Sequence, residues 1–458
     1  MAYIGTSPSQ GVRHRYLFTA TSGQTTFSGA DDDSRTLSYT DTKFMDVFLN
    51  GVLLDPNSDY TATTGTSVVL TSGASAGDLL EVIAFDSFSV FSGTFGGDVT
   101  VGGDLSTSSI NGGQIGGRRN LIINGAMQVA QRGTSSTSQG IQTVDRFGIQ
   151  NGGIGAFTQL QSTDAPDGFS NSFKLDCTTA DPSPAASDYL YIYTRLEAQD
   201  LQQLAYGTSG AKTCTLSFYV KSNKTGSFTF NARQPDNSFR MYSKNVTISS
   251  ANTWERVSVE LPSDASGLIN NDNGFGLEIA LWLNSGSDYS GGSEQSWGAE
   301  TATNKYLGTL DLGASTSDEF FITGVQLEVG SVATKFEHRS YGEELALCQR
   351  YCVVYTNDLD GAETFVTLGI GFSSGSTAVR WTPYVPVPLR AEASISQTGS
   401  LEFFSQGVTL SSPTAVRDGC SLTPAYNFTS SGSLTNGVAG VVRGYSDATA
   451  KITLDAEL

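Results

Sequence analysis

CTLSFYVK, residues 214–221, alternates without a break: Cys214, Leu216, Phe218 and Val220 fall on one side, and Thr215, Ser217, Tyr219 and Lys221 on the other. A period of two is the period of a strand, so the stretch predicts a β-strand with one face on a core. The pattern recurs. In ERVSVEL the apolar face is Val257, Val259 and Leu261; in LEIALWL it is Leu277, Ile279, Leu281 and Leu283. Such strands, spaced by polar loops, predict a sandwich or jelly roll over 118–341. Composition agrees with an all-β chain rich in turns. Ser and Thr are abundant, the 51 glycines exceed the ordinary share of about 7 %, and long Lys/Glu-rich helical runs are missing.

The chain has 458 residues, enough for two to four domains. Its formal net charge of −19 leaves no basic surface to release counterions, which argues against nucleic acid and anionic membrane as partners. Cys177, Cys214, Cys348, Cys352 and Cys420 are sparse and odd in number, without a C-x-x-C spacing, and read as free thiols of a reducing compartment. MAYIGTSPSQGVRHRY lacks the apolar core of a signal peptide, and no apolar run nears the ~18 residues of a membrane span.

Residues 1–92 read as a small β domain. In DVFLNGVLL, Asn50-Gly51 between β-rich arms predicts a type I′ hairpin. SVVL (67–70) and LLEVIAF (79–85) are expected to form a second pair across the turn Ser72 to Gly77. Residues 93–117 are glycine-rich but not a simple linker, because Val99, Val101, Leu105, Ile110 and Ile115 need partners that one chain cannot supply. What the other side of this segment touches is left open by its residues alone. At 342–352 the acids Glu343 and Glu344 and the stripe Leu345, Cys348, Cys352 predict a short helix, and strands return up to residue 458.

Sites for chemistry are few. Gly371-Phe372-Ser373-Ser374-Gly375 matches a nucleophile elbow, but the residues after it are strand-like and no histidine comes after His338, so a turn is expected. His14 and His338 have no ligand-spaced neighbours. Asp31-Asp32-Asp33 could hold calcium but lacks the EF-hand spacing, and a solvated turn is the plainer reading. No cofactor motif occurs. The aromatic residues are more telling. Tyr189, Tyr191 and Tyr193 share a face opposite Leu190 and Ile192, and Tyr219 and Trp282 oppose the apolar rows of their own strands. Such faces can be buried by packing or can stack on sugar rings. Trp297 is a separate loop candidate.

Several stretches, in order, resemble tail fibres of short-tailed bacteriophages, marine ones in particular. FTATSGQTTFSGADDD with VFLNGVLLDPNSDYTATTGTSVVLTSGASAGDLLEVIAF resembles the N-terminal domain that attaches such fibres to the tail. RRNLIINGAMQVAQRGTS, TVDRFG, NTWERVSVELP and GVQLEVGSVATKFEHRSYGEELALCQRYC resemble the carbohydrate-binding-module-like jelly roll common in phage fibres. WTPYVPVPLRAEASI is similar to the stretch that often follows it; the resemblance does not extend over the last ~60 residues, which suits a host-specific tip.

The resemblance implies a non-enzymatic homotrimer without cofactor or metal, part of the virion and made in the host cytoplasm. Three copies of 93–117 around its threefold axis would bury Val99, Val101, Leu105, Ile110 and Ile115 as a short trimeric shaft. Residues 1–92 would bind tail adaptor or nozzle proteins, with Arg13, His14 and Arg15 as candidate contacts. Distal domains would bind a host-surface receptor, expected to be a glycan. The tip, 342–458, offers Asp358, Asp360 and Tyr426 in loops; the jelly roll offers Tyr191, Tyr219 and Trp282 as a rival site. Two alternatives remain. A tailspike that cleaves surface polysaccharide needs a long parallel β-helix, whose period is missing; a secreted bacterial adhesin needs a secretion signal.

Overall fold

A computed structural model describes residues 12–86, 118–236, 238–356, 367–416, 424–447 and 449–458. The predicted shaft residues Val99, Val101, Leu105, Ile110 and Ile115 lie outside the described residues, as do Asp358, Asp360 and Cys420. The chain is nearly all β and divides into two compact units, Met1–Leu105 and Ser106–Leu458.

In the first unit a four-stranded sheet, ordered Val12–Thr19, Leu79–Asp86, Met45–Leu49, Val52–Leu53, shares a core with a three-stranded sheet, Gln24–Ser28, Ser67–Ala74, Tyr60–Thr61. The Asn50-Gly51 hairpin forms as expected: both residues have positive φ, 52° and 82°, as a type I′ turn demands. The second expected pair does not form. Ser67–Ala74 pairs with Gln24–Ser28 and Tyr60–Thr61, whereas Leu79–Asp86 pairs with Val12–Thr19 and Met45–Leu49. The turn at 75–78 carries the chain from one sheet to the other, which a hairpin and a sheet crossing allow equally. Asp31 does not offer itself to a cation. Its carboxylate accepts the amides of Leu17, Asp33 and Arg35 at 3.1, 3.1 and 2.6 Å. Burial opposes its ionised form, but those three bonds outweigh it and hold the carboxyl below its ordinary range.

The second unit begins with two six-stranded antiparallel sheets over one core. The first sheet runs Glu255–Leu261, Cys214–Ser222, Glu319–Val329, Ser172–Thr179, Ala156–Ser162, Ser135–Ser136. The second runs Gln295–Ala299, Arg240–Ile248, Gly226–Gln234, Phe275–Ser285, Tyr189–Glu197, Gly148–Asn151. The alternating residues expected inside are inside: Cys214, Leu216, Phe218 and Val220 meet Leu277, Ile279, Leu281 and Leu283 in one cluster. The helix spans Tyr341–Gln349, with Ser340 and Glu343 forming a reciprocal capping box. Cys348 lies on its buried side, but Cys352 does not continue the stripe, because the helix stops at Arg350 and Cys352 opens the strand Cys352–Thr356.

The C-terminal part is a closed six-stranded barrel, Thr367–Ser373, Ala378–Thr382, Ala425–Ser430, Val408–Val416, Leu401–Phe403, Ala439–Gly444, with Cys352–Thr356, Lys451–Asp455 and Ser394–Thr398 as a side sheet. Closure removes the exposed edges of those strands. Ser373 ends a strand and is fully buried, its hydroxyl donating to Thr435 O, so the elbow-like motif is a hairpin end. Charged side chains, most of them buried, tie the end of the helix and the C-terminal residues after the side sheet to the jelly roll. Arg132 reaches Asp455 and Glu457, Arg146 pairs with Glu457, and Glu197 holds Arg350 at 2.6 Å and the Tyr351 hydroxyl at 2.9 Å. Cys177, Cys214, Cys348 and Cys352 are free and buried; burial pushes the Cys214 thiol up to about 12.

Candidate functional site

The jelly roll has aromatic side chains on both outer faces, each placed there by strand alternation. On the second sheet, Leu190, Ile192 and Leu196 enter the core, which turns Tyr189, Tyr191 and Tyr193 outward. Tyr191 is registered opposite Trp282, and their rings stack 4.8 Å apart at 15°. Tyr289 closes on Trp282 at 5.5 Å and on Tyr189 at 5.6 Å, and Lys305 Nζ sits 5.6 Å from the Trp282 ring. Trp282 is thereby left only 4 % exposed, with no free face for a ligand ring.

A row of alternating charges runs beside this stack. Arg195, Glu278 and Arg233 are cross-strand neighbours; Glu278 is fully buried and receives Arg195 Nε at 2.9 Å and Arg233 Nη1 at 2.8 Å. Arg233 goes on to Glu300 at 2.7 Å, and Glu300 to Lys305 at 2.5 Å. Burial works against the Glu300 carboxylate, but the hydrogen bond from Lys305 and the charge of Arg233 prevail and hold its pKa down. Burial pushes the Tyr191 phenol up. Arg195 also donates to Leu458 O at 2.7 Å, so the C-terminal segment lies across one end of this face. The second sheet's outer face is a satellite core, as its cluster of Ile141, Tyr193, Ala280, Trp282 and Tyr306 confirms.

The first sheet's outer face is more open. Tyr219, outward from the strand Cys214–Ser222, lies 5.4 Å from Phe169, which stands 5.0 Å from Phe336 and 5.2 Å from His338. Tyr219, Phe169 and Phe336 are half-buried and His338 is exposed. Gly324 makes this cluster possible: a Cβ there, at φ +62°, would sit 2.8 Å from the Phe169 ring and 2.9 Å from the Tyr219 ring. Two residues along the strand, Lys221 holds its ammonium 4.6 Å from Phe321 and 5.4 Å from Trp254. Trp254 Nε1 donates to Asp164 at 3.1 Å, and Lys221 pairs with the same carboxylate. Asp164 is held below the ordinary carboxylate range, first by its bond from Lys221. Half-open rings, an exposed carboxylate and an ammonium thus share one surface.

The remaining candidates fall elsewhere. Tyr426 belongs to the strand Ala425–Ser430 rather than a loop, and is 1 % exposed against Trp381 in the barrel core. It cannot touch a receptor from there. Trp297 lies on the strand Gln295–Ala299, donates to Pro262 O at 2.8 Å and packs on Tyr206 and Tyr242. Arg13, His14 and Arg15 do not form one patch: Arg13 and Arg15 point outward, Arg15 pairing with Glu81 at 2.5 Å, while His14 turns to the opposite face beside Tyr16. Phe169, Trp254 and Phe336 were invisible to periodicity, because each stands outside the strands. Among the described residues, no three His, Cys, Asp or Glu side chains are grouped to hold a metal.

No family model and no curated protein matches the chain. Among solved structures it is similar to the enzymatically active domain of tailspike protein 4 of bacteriophage CBA120, at 12 % identity over 46 % of this chain, with a TM-score of 0.26. That match spans about a fifth of the tailspike chain, 21 %. A family 11 carbohydrate-binding module from Clostridium thermocellum, in complex with a β-1,3-1,4-mixed-linked tetrasaccharide, is similar at 12 % identity over 45 % of this chain and 98 % of that one, TM-score 0.23. The xylan-binding CBM22-1 domain from Paenibacillus barcinonensis is similar at 8 % identity over 49 % and 100 %, TM-score 0.23.

Proposed function

We propose that this chain is the receptor-binding tail fibre of a short-tailed bacteriophage: a virion homotrimer, held to tail adaptor or nozzle proteins by residues 1–92, that binds host-surface glycan. The fibre part is supported by the ordered succession of fibre-like phrases from FTATSGQTTFSGADDD to WTPYVPVPLRAEASI. One observation carries the glycan part. The first sheet's outer face sets the half-open rings of Tyr219, Phe169 and Trp254 beside Asp164 and Lys221. Sugars need apolar ring faces for their C–H surface together with acceptors and donors for their hydroxyls, and this surface has both. The jelly roll is therefore favoured over the tip, whose candidate Tyr426 is interior.

Full-length protein is to be tested on immobilised capsular and lipopolysaccharide glycans, with reducing-sugar release followed in parallel and mass measured by light scattering. The expected result is saturable glycan binding without sugar release, by a particle of about three times 48.3 kDa. A folded monomer, or no binding to any envelope glycan, overturns the reading; sugar release would make it a tailspike enzyme instead.

A further inference from the structure

The first unit contains an open cavity of about 320 Å³ between the segments 39–42, 56–57 and 60–65. That is the low end of the range of about 300–1,000 Å³ typical of ligand sites. Tyr39 and Tyr60 are buried beneath it, and Asp41, Asn57 and Thr63 stand exposed around it. Turn chemistry builds the rim. Asp41 caps the short helical turn Thr42–Phe44, its Oδ1 accepting Lys43 N at 2.9 Å, while its second oxygen has no partner among the described residues. Asn57 takes a left-handed conformation, φ 69°, and its amide donates to Tyr60 O at 2.8 Å. Tyr60 is the telling residue. It is 1 % exposed, yet its hydroxyl has no hydrogen-bond partner among the described residues, whereas Tyr39 donates to Ser67 O at 2.7 Å. A buried phenol without a partner is costly unless something outside the chain supplies one.

The charge around this cavity has one sign. Lys43 is the only basic residue between Arg35 and Arg118, and it does not line the cavity. Asp41 stands at the rim, and the carboxylates of Asp46 and Asp55 are near enough to act on Tyr60. Burial first, and then those two charges, push its phenol up, and no basic group offsets them. The cavity therefore offers hydrogen-bond acceptors, two tyrosine rings and a negative potential. A guanidinium answers all three, with five donors, a flat face that stacks on aromatic rings and a permanent charge. A neutral sugar would leave the charge unanswered.

We propose that this cavity takes an arginine side chain of a partner protein, its guanidinium bonding the Asp41 carboxylate and the Tyr60 hydroxyl. The inference rests on the reading that residues 1–92 hold tail proteins, and deepens it by naming a contact. The probe is the blocked peptide acetyl-Gly-Arg-Gly-amide, set against the same peptide with citrulline, which keeps the shape and loses the charge. Binding to the full-length protein is read by saturation-transfer NMR of the peptide side chain. Asp41→Asn keeps the helix cap, and Tyr60→Phe removes a hydroxyl that bonds nothing in the chain, so both variants should fold. The wild type is expected to bind the arginine peptide at least tenfold tighter than the citrulline peptide. Asp41→Asn with Tyr60→Phe should weaken the arginine peptide at least tenfold. Absence of binding, equal affinity for the two peptides, or affinity that the double variant retains overturns the inference. Attachment of the full-length protein to fibreless phage particles separates the two readings. Attachment that the double variant retains overturns the cavity assignment alone, and failure of the wild type to attach overturns the tail-attachment reading.

Discussion

The two outer faces of the jelly roll hold similar side chains under different conditions. On the second sheet, Tyr191 covers Trp282, Tyr289 closes the end, and every charge from Arg195 to Lys305 has an opposite neighbour. On the first sheet, Tyr219, Phe169 and Trp254 keep part of their rings open beside the exposed Asp164. The contrast separates two meanings of an aromatic residue opposite an apolar row. Where a cross-strand partner of equal size sits in register, the rings consume one another's faces and the result is stability. Where a glycine, here Gly324, sits beside the ring, neighbours gather around it without covering it.

The largest expected effect falls on the closed face. Trp282→Ala removes a nearly fully buried ring from the stack and should cost about 3–5 kcal/mol in unfolding free energy, read by urea titration of the full chain. Glycan binding per folded molecule should be unchanged. Loss of binding by a variant that remains folded would move the site to the second sheet.

A smaller effect concerns the charge network that ties the C-terminal residues to the jelly roll. Asp145 is fully buried 3.7 Å from Arg132; burial raises its carboxyl to about 6, against the pull of the arginine. The folded protein therefore holds this proton more tightly than the unfolded chain. The stability it contributes is complete below about pH 4 and is lost as pH rises through about 6, on the order of 3 kcal/mol. Unfolding free energies measured from pH 4 to 7 should show this decline against Asp145→Asn, in which it should disappear. Equal slopes in the two proteins would contradict the assignment.

Gly324→Ala probes the open face. At φ +62° alanine is strained by about 1–2 kcal/mol, and its methyl group presses on the Phe169 and Tyr219 rings. The variant should lose that much stability and bind glycan more weakly, whereas Gly342→Ala, in the helix with open space around it, should lose no stability and leave binding unchanged. Unaltered binding by a destabilised Gly324→Ala would show that the ring cluster is not the contact.

Much of the framework is legible from residues alone. Strict alternation in CTLSFYVK and LEIALWL reports burial on one face, and that holds in whatever sheet the strand sits. Asn50-Gly51 reports its own turn, because only positive φ at both positions closes it. Pairing partners are less legible: the link from Ala74 to Leu79 has hairpin chemistry yet joins different sheets. The site is legible only in part. Tyr219 follows from alternation, but Phe169, Trp254 and Phe336 come from loops, and their convergence on Tyr219 and Phe321 depends on tertiary packing. Tyr426 misled because its neighbours Thr423, Pro424 and Asn427 have turn-like chemistry, while alternation with Phe428 was the stronger signal.

The most direct measurement compares the two faces in one binding assay. Full-length wild type, Tyr219→Ala with Trp254→Ala, and Tyr191→Ala are titrated against the envelope glycan that the wild type binds, with folding checked by circular dichroism. The open-face pair should weaken binding at least tenfold, about 1.4 kcal/mol or more, and Tyr191→Ala should leave it within about twofold. Retained affinity in the folded open-face pair, with loss in Tyr191→Ala, would contradict the account.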